Sequence, residues 1–231
     1  MAKKDNYPTW TESAERLILY ADIMGFKNRV LLTDHKKLRK QLTDFKNTFN
    51  KQSKPFLEND YLRFVQFSDS ILIVTQGADD KMLNIIAKAG VRLMQISSKQ
   101  GLPVKGVIAK GKFTFDEENQ LYFGQPLVDA YLLHEEIKYY GIAIHHSAEA
   151  LAKAYEGKLF SNKPIYISKG KVTHYHLCWN MLGSLLEEKD NTEQCLKWLE
   201  SIAETVSGEP RIYIDHTREI FNNERGKTNT D

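Results

Sequence analysis

Two aspartates carry the most specific chemical suggestion in this sequence. Asp22 closes the apolar run Arg16-Leu-Ile-Leu-Tyr-Ala-Asp22, and Asp69 sits in Phe67-Ser-Asp-Ser-Ile71 between two further apolar runs. A carboxylate pair flanking open space is a hard-oxygen site suited to Mg2+ or Mn2+. With one backbone carbonyl added, such a pair can hold two ions. Two ions can bind a triphosphate, polarise its oxygens and assist deprotonation of an attacking hydroxyl. Taken singly, each residue has a structural use, Asp22 as the N-cap of a following helix and Asp69 as a turn residue. They become a site only if the surrounding elements bring them together.

Those elements can be read from pattern. The run ending at Asp22 is too short for a helix and reads as a buried central strand. Ile23-Met-Gly-Phe26 leads into a helix, whose free N–H groups would receive phosphate oxygens. Leu38, Leu42, Phe45 and Phe49 then mark one helix face, with Lys36, Lys37, Arg39, Lys40 and Lys46 on the solvated face and Pro55 as the stop. Tyr61 to Phe67 and Ile71 to Val74 flank Ser68-Asp-Ser70 as a hairpin. A helix starts at Asp79 and Asp80 and stops at Gly101-Leu-Pro103. Val104 to Phe115 is a strand, Asp116 to Asn119 a turn, and Leu121 to Phe123 continues the sheet. A short helix from Gly124 to about Lys138, a strand at Gly141 to Ile144 and a helix at Ser147 to Tyr155 follow.

This order predicts an α+β fold with a βαββαβ, ferredoxin-like core. In such a sheet the first strand lies beside the hairpin, so Asp22 and Asp69 converge at one edge. Beyond the core, Pro164 to Ser168 and Lys171 to Cys178 read as a strand pair, Asn191 to Val206 as a helix, and Arg211 to Thr217 as a closing strand or extended segment. The expected layout is a flexible arm (1–14), a core (15–160), a C-terminal α/β extension packed on the core (161–221) and a disordered tail (222–231).

Composition narrows the function classes. The 231 residues are 42% hydrophobic and 27% charged, ordinary globular values that exclude collagen-like, coiled-coil and wholly disordered chains. A formal net charge of +2 gives no support to nucleic-acid binding. Cys178 and Cys195 have no second pair to make a zinc site and read as buried thiols in a reducing compartment. No apolar run approaches the ~20 residues that span a bilayer, and the lysines near Met1 precede no apolar stretch. The expectation is a soluble cytoplasmic protein with neither nucleic-acid nor membrane partners.

The motifs have a familiar order. Leu19-Tyr-Ala-Asp-Ile-Met-Gly-Phe26 resembles the first metal-binding motif of class III nucleotide cyclases, and Phe67-Ser-Asp-Ser-Ile71 resembles their second. Lys105-Gly-Val-Ile-Ala-Lys-Gly111 with Tyr122-Phe-Gly-Gln-Pro-Leu-Val-Asp-Ala-Tyr131 resembles their later Gly-containing strand and Gly-led helix. The resemblance spans about residues 16 to 146. A narrower one is to the pyrimidine cyclases of the Pycsar anti-phage system, through the Phe-Ser-Asp-Ser form, Ala130-Tyr131, Trp198 and Asp215-His-Thr217.

By this resemblance Asp22 and Asp69 are the catalytic, metal-binding acids, and Ile23 lends its carbonyl. Gly25 and Phe26 form the phosphate-binding start of a helix, and Tyr61 and Lys105 are candidates for base recognition. The cofactors implied are two divalent cations, Mn2+ or Mg2+. The substrate implied is UTP or CTP, cyclised to cUMP or cCMP with release of pyrophosphate, for a downstream cyclic-nucleotide-responsive effector. The family also implies a homodimer with sites between chains. Two departures stand out. Val65 occupies the position of the usual purine-cyclase lysine. Val128 and Leu132 occupy those of the Asn and Arg that stabilise the transition state, and neither side chain can donate a hydrogen bond. Lys110, Lys112 or Arg63 would have to serve, or the domain is inactive. An ordinary adenylate or guanylate cyclase is the other alternative.

The remaining polar motifs read as structural. His145 and His146 are adjacent on a strand and point apart, whereas His174 and His176 share a face but lack a third ligand. Asp215-His216 has no nucleophile motif nearby and reads as packing or capping. Trp198 reads as core or dimer surface.

Overall fold

The computed structural model describes residues 10–180 and 192–225. β1 (Ser13–Ile23) is followed by α1 (Phe26–Leu32), α2 (His35–Gln52) and α3 (Lys54–Glu58), then the hairpin β2 (Leu62–Phe67) and β3 (Ser70–Thr75). α4 (Asp80–Lys99) leads to β4 (Val104–Asp116), β5 (Leu121–Gly124), α5 (Gln125–Glu136), β6 (Ile142–Ile144) and α6 (His146–Lys153). β7 (Phe160–Ile167), β8 (Gly170–Leu177), α7 (Thr192–Ala203) and α8 (Glu209–Arg225) complete the described elements.

The sheet order is β2-β3-β1-β4-β6-β8-β7, with β5 paired to β4. Its first half is the split βαββαβ arrangement, with β1 central and antiparallel to both β3 and β4. Alternation along β1 divides the core in two. Leu17, Leu19, Ala21 and Ile23 join Phe45 and Phe49 of α2 and Leu83 and Ile86 of α4 on one face. Ile18 joins Val107, Phe113 and Ala130 of α5 on the other. Gly106 makes the close β1–β4 approach possible, since a Cβ there would lie 2.8 Å from the Tyr20 carbonyl oxygen and 2.9 Å from the Ala21 Cβ. The helix start read at Asp79 is a real cap, its side chain accepting from Met82 N at 2.9 Å; Asp34 caps α2 in the same way, accepting from Lys37 N at 3.1 Å.

Several expectations change. The helical region after Asp22 is three helices; α2 ends at Gln52 with Ser53 as its C-cap, and Pro55 lies in the first turn of α3 instead of stopping a longer helix. Arg211 to Thr217 is helix, not strand, because Tyr213, Ile214, Thr217, Ile220, Phe221 and Glu224 form a buried stripe of helical spacing. Residues 222–225 extend that helix, so this part of the expected tail is ordered, while 226–231 lie outside the described residues. Residues 13 and 14 belong to β1. Trp10 of the expected arm packs on Phe115 and lies under the Arg16 and Arg63 guanidinium groups at 4.3 and 4.6 Å, while 1–9 lie outside the described residues. The strand pair read at 164–178 is β7 and β8, which continue the core sheet through a β6–β8 pairing. Both cysteines are buried. Among the described residues, no helix is long and apolar enough to cross a membrane.

Candidate active site

Asp22 ends β1 on the face opposite α2 and α4. It is paired with Ser70 across β3 and with Lys105 across β4. Helix α1 begins only at Phe26, capped by Gly25 without a side-chain bond, so Asp22 does not cap it. The Asp22 carboxylate instead accepts hydrogen bonds from the Tyr20 hydroxyl at 3.2 and 3.1 Å. Burial pushes this carboxyl above the ordinary range, and the charge of Asp69 adds to the rise. Hydrogen bonds from Ser70 and Tyr20 and the charge of Lys105 oppose it. Burial, chiefly, raises the Tyr20 phenol to about 12, so it stays a donor.

Asp69 lies in the tight turn joining β2 to β3, where Ser68 takes a left-handed conformation (φ 58°). Its carbonyl accepts from Ile23 N at 3.0 Å, tying the turn to the end of β1. The two acids predicted to converge lie at one end of adjacent strands. Ile23 itself is buried in the first core. Gly25 is exposed, and its φ of 72° suits a residue without Cβ. The Phe26 side chain packs in the core, leaving only its backbone at the helix start.

The structure separates the two base-recognition candidates from this role. Tyr61 precedes β2 at the end of the hairpin remote from Asp69, roughly 20 Å away at ~3.3 Å per strand residue. Its hydroxyl meets Lys81 Nζ at 3.1 Å. Lys105 is beside Asp22 but only 4% exposed, and its Nζ donates to the His134 carbonyl at 2.8 Å and the Ile137 carbonyl at 3.3 Å. It holds the last turn of α5, and burial lowers its ammonium to about 8. Its side chain points into protein rather than toward a ligand. Spacing could not show this, because the carbonyls it serves lie 29 and 32 residues on.

Sequence reasoning missed His134. It is 1% exposed, its Nε2 lies 3.9 Å from Asp22 Oδ2, and its ring stands edge-on to Tyr20 at 5.2 Å. Burial first, and Lys105 second, lower the imidazole to about 3. Tyr20 had a signal, since a residue two before Asp22 on a strand shares its face. His134 had none without knowledge of how α5 crosses β1.

On α5, Val128 and Leu132 are exposed, and Tyr131 lies 6.0 Å from Tyr20 by ring centroids. Val65 is half-buried against the second core. Arg63 is engaged by Asp60 and by Glu117 at 3.2 Å. Lys110 and Lys112 pair in register with Leu17 and Glu15. That is about 17 Å or more from Asp22 of the same chain, at ~3.3 Å per residue.

His145 and His146 are not on a strand and do not point apart: His145 is the N-cap of α6, His146 its first residue, and their rings lie 4.1 Å apart. His176 pairs with Glu224 at 2.8 Å and His174 with Glu149 at 3.2 Å. Among the described residues, no group of three or more His, Cys, Asp or Glu could hold a metal ion. His216 stacks on Tyr166 at 3.6 Å, and its Nδ1 lies 2.7 Å from the Lys138 carbonyl. Trp198 packs by Tyr140 and Trp179.

No family model matches the chain, and no curated protein matches it. Solved structures do. The guanylate cyclase domain of RhGC from Catenaria anguillulae, in complex with GTP, is similar at TM-score 0.58 and 16% identity, over 72% of this chain and 98% of that one. The monomeric guanylyl cyclase domain of a RhoGC fusion protein from Blastocladiella emersonii is similar at TM-score 0.52 and 17% identity, over 70% and 100%. A dimeric form of the latter domain gives TM-score 0.51 and 18% identity, over 72% and 97%. The chain has the fold of these cyclase domains.

Proposed function

We propose that this chain is a nucleotidyl cyclase whose metal-binding acids are Asp22 and Asp69. One observation carries the reading: Asp22 and Asp69 lie at the ends of adjacent strands, close enough for the Asp69 charge to add to the rise of the Asp22 carboxyl, and neither has a lysine or arginine ion-pair partner among the described residues. The donor set, two carboxylates and a backbone carbonyl, is hard oxygen and so of the kind that Mg2+ or Mn2+ takes together with phosphate oxygens. Asp22 and Asp69, with the Ile23 carbonyl, would hold two such cations. When bound, these supply charge neutralisation and lower the pKa of the attacking hydroxyl.

The chain's own residues do the rest. Tyr20 orients the Asp22 carboxylate, and the turn at Ser68 and Asp69 fixes the second one. The open backbone at Gly25 and Phe26 receives the triphosphate beside them. The ribose 3′-hydroxyl oxygen bonds to the α-phosphorus, the bond from that phosphorus to the bridging oxygen breaks, and pyrophosphate leaves with the hydroxyl proton passed to solvent.

Val65 favours a pyrimidine substrate, UTP or CTP giving cUMP or cCMP, since it supplies no polar contact where purine cyclases resemble one another in having lysine. The similar domain from Catenaria anguillulae was solved with GTP, which makes a guanylate cyclase the second reading. The narrower resemblance extends the proposal to second-messenger synthesis in anti-phage defence, with a cyclic-nucleotide-responsive effector downstream. A homodimer is part of it. Leu121, Phe123, Val128, Tyr131 and Leu132 form an exposed apolar group on β5 and α5, and a second chain is the available source of cations such as Lys110 and Lys112. An inactive nucleotide-binding domain is the reading that Val128 and Leu132 support if no second chain supplies them.

Incubation with ATP, GTP, UTP and CTP separately, each with Mn2+, tests the reading by chromatography. A cyclic product from UTP or CTP supports it. Product from a purine nucleotide alone keeps the cyclase and removes the pyrimidine assignment. No product from any of them removes the cyclase.

A further inference from the structure

The imidazole of His134 is fixed at the site without a partner of its own. Neither ring nitrogen makes a hydrogen bond, although the side chain is 2% exposed. Nδ1 lies 3.4 Å from Glu135 Oε1, outside hydrogen-bond geometry, and Nε2 faces Asp22 Oδ2 at 3.9 Å. The ring has nowhere else to go. Tyr20 stands edge-on against it, and Lys105 Nζ grips its backbone carbonyl at 2.8 Å. Buried polar atoms in folded proteins are almost always paired, so an orphaned ring calls for a use.

We infer that His134 is a positioning residue for Asp22: with Tyr20 it fixes the orientation of the carboxylate, Nε2–H donating to Oδ2 when that carboxylate carries a divalent cation. The contact needs to shorten by only about 1 Å to enter hydrogen-bond range. Groups that hold a ligating side chain commonly contribute roughly 10–100-fold to metal affinity. Lys105 enters this arrangement indirectly, by clamping the turn of α5 that delivers His134. The inference rests on the reading of Asp22 as a metal ligand.

The test is Mn2+ binding to the purified full chain, followed by the electron paramagnetic resonance of free Mn2+, with circular dichroism melting alongside. His134→Leu fills similar space without a donor and is expected to bind Mn2+ about tenfold more weakly, with its melting temperature unchanged or raised. His134→Gln, whose amide reaches the position of Nε2, is expected to bind within about twofold of the unaltered chain, while His134→Asn, whose amide reaches only Nδ1, is expected to lose affinity as Leu does. If the Leu variant does not fold, the Gln–Asn difference decides. Equal Mn2+ affinity across these variants, with Asp22→Asn still impaired, overturns the role of His134 and leaves the metal site standing. If Asp22→Asn binds as the unaltered chain does, the metal reading fails and this inference with it.

Discussion

At Asp22 the fold carries a charge it does not welcome. Burial and the neighbouring Asp69 raise this carboxyl, so its ionised form is less stable folded than unfolded. The penalty is absent below the ordinary carboxylate pKa and fully present above the raised one. Asp22→Asn is therefore expected to raise the melting temperature at pH 7 to 8 and to leave it unchanged near pH 3, while removing Mn2+ binding. Melting curves across pH check this, and a lower melting temperature at neutral pH would show that the carboxylate is structurally satisfied. Because the cation needs the ionised form, Mn2+ affinity is expected to fall on acidification at a higher pH than for an ordinary carboxylate. Both acids were legible from run lengths and turn pattern, and Tyr20 was passed over although strand alternation puts it on the face of Asp22. His134 was not, because its approach depends on a helix crossing the sheet more than a hundred residues later in the chain.

Among the elements, α8 shows most clearly where pattern reading fails. Arg211-Ile-Tyr-Ile alternates like a strand over its first residues, and only the longer stripe from Tyr213 to Glu224 reveals the helical period. That stripe is anchored by Thr217, whose Oγ1 accepts from Tyr140 N at 2.8 Å, and by Phe221 against Trp179 at 5.1 Å. Phe221→Ala should cost about 3–5 kcal/mol of stability, as for other buried aromatic truncations, measured by denaturant titration. A loss under 1 kcal/mol would mean that α8 is only loosely docked. Lys105 belongs to this scale as well. Lys105→Met should loosen the end of α5, seen as faster amide exchange around Ile137, and leave the ratio of rates on the four nucleotides unaltered. A changed ratio would return Lys105 to base recognition.

For the whole molecule, the βαββαβ core and the pairing of β1 with the hairpin followed from the alternation of strand and helix patterns. The merging of β7 and β8 into the same sheet did not, because the β6–β8 pairing is long-range and has no local signal. The exposed apolar residues of β5 and α5, like Leu31 and Leu32 of α1 and Phe67 of the hairpin, are left uncovered by a single chain. Leu132→Glu is expected to shift sedimentation from dimer to monomer and to reduce cyclase activity at least tenfold, with the melting temperature little changed because the side chain is exposed in the single chain. A monomeric unaltered chain with full activity would remove the composite site.

The most direct test of the central claim is an anomalous difference map at the manganese edge, from crystals grown with Mn2+ and a non-cyclisable UTP analogue. Two peaks between the carboxylates of Asp22 and Asp69, with the triphosphate beside them, are the predicted result. A nucleotide bound elsewhere, or manganese absent from that pair while nucleotide is present, would contradict it.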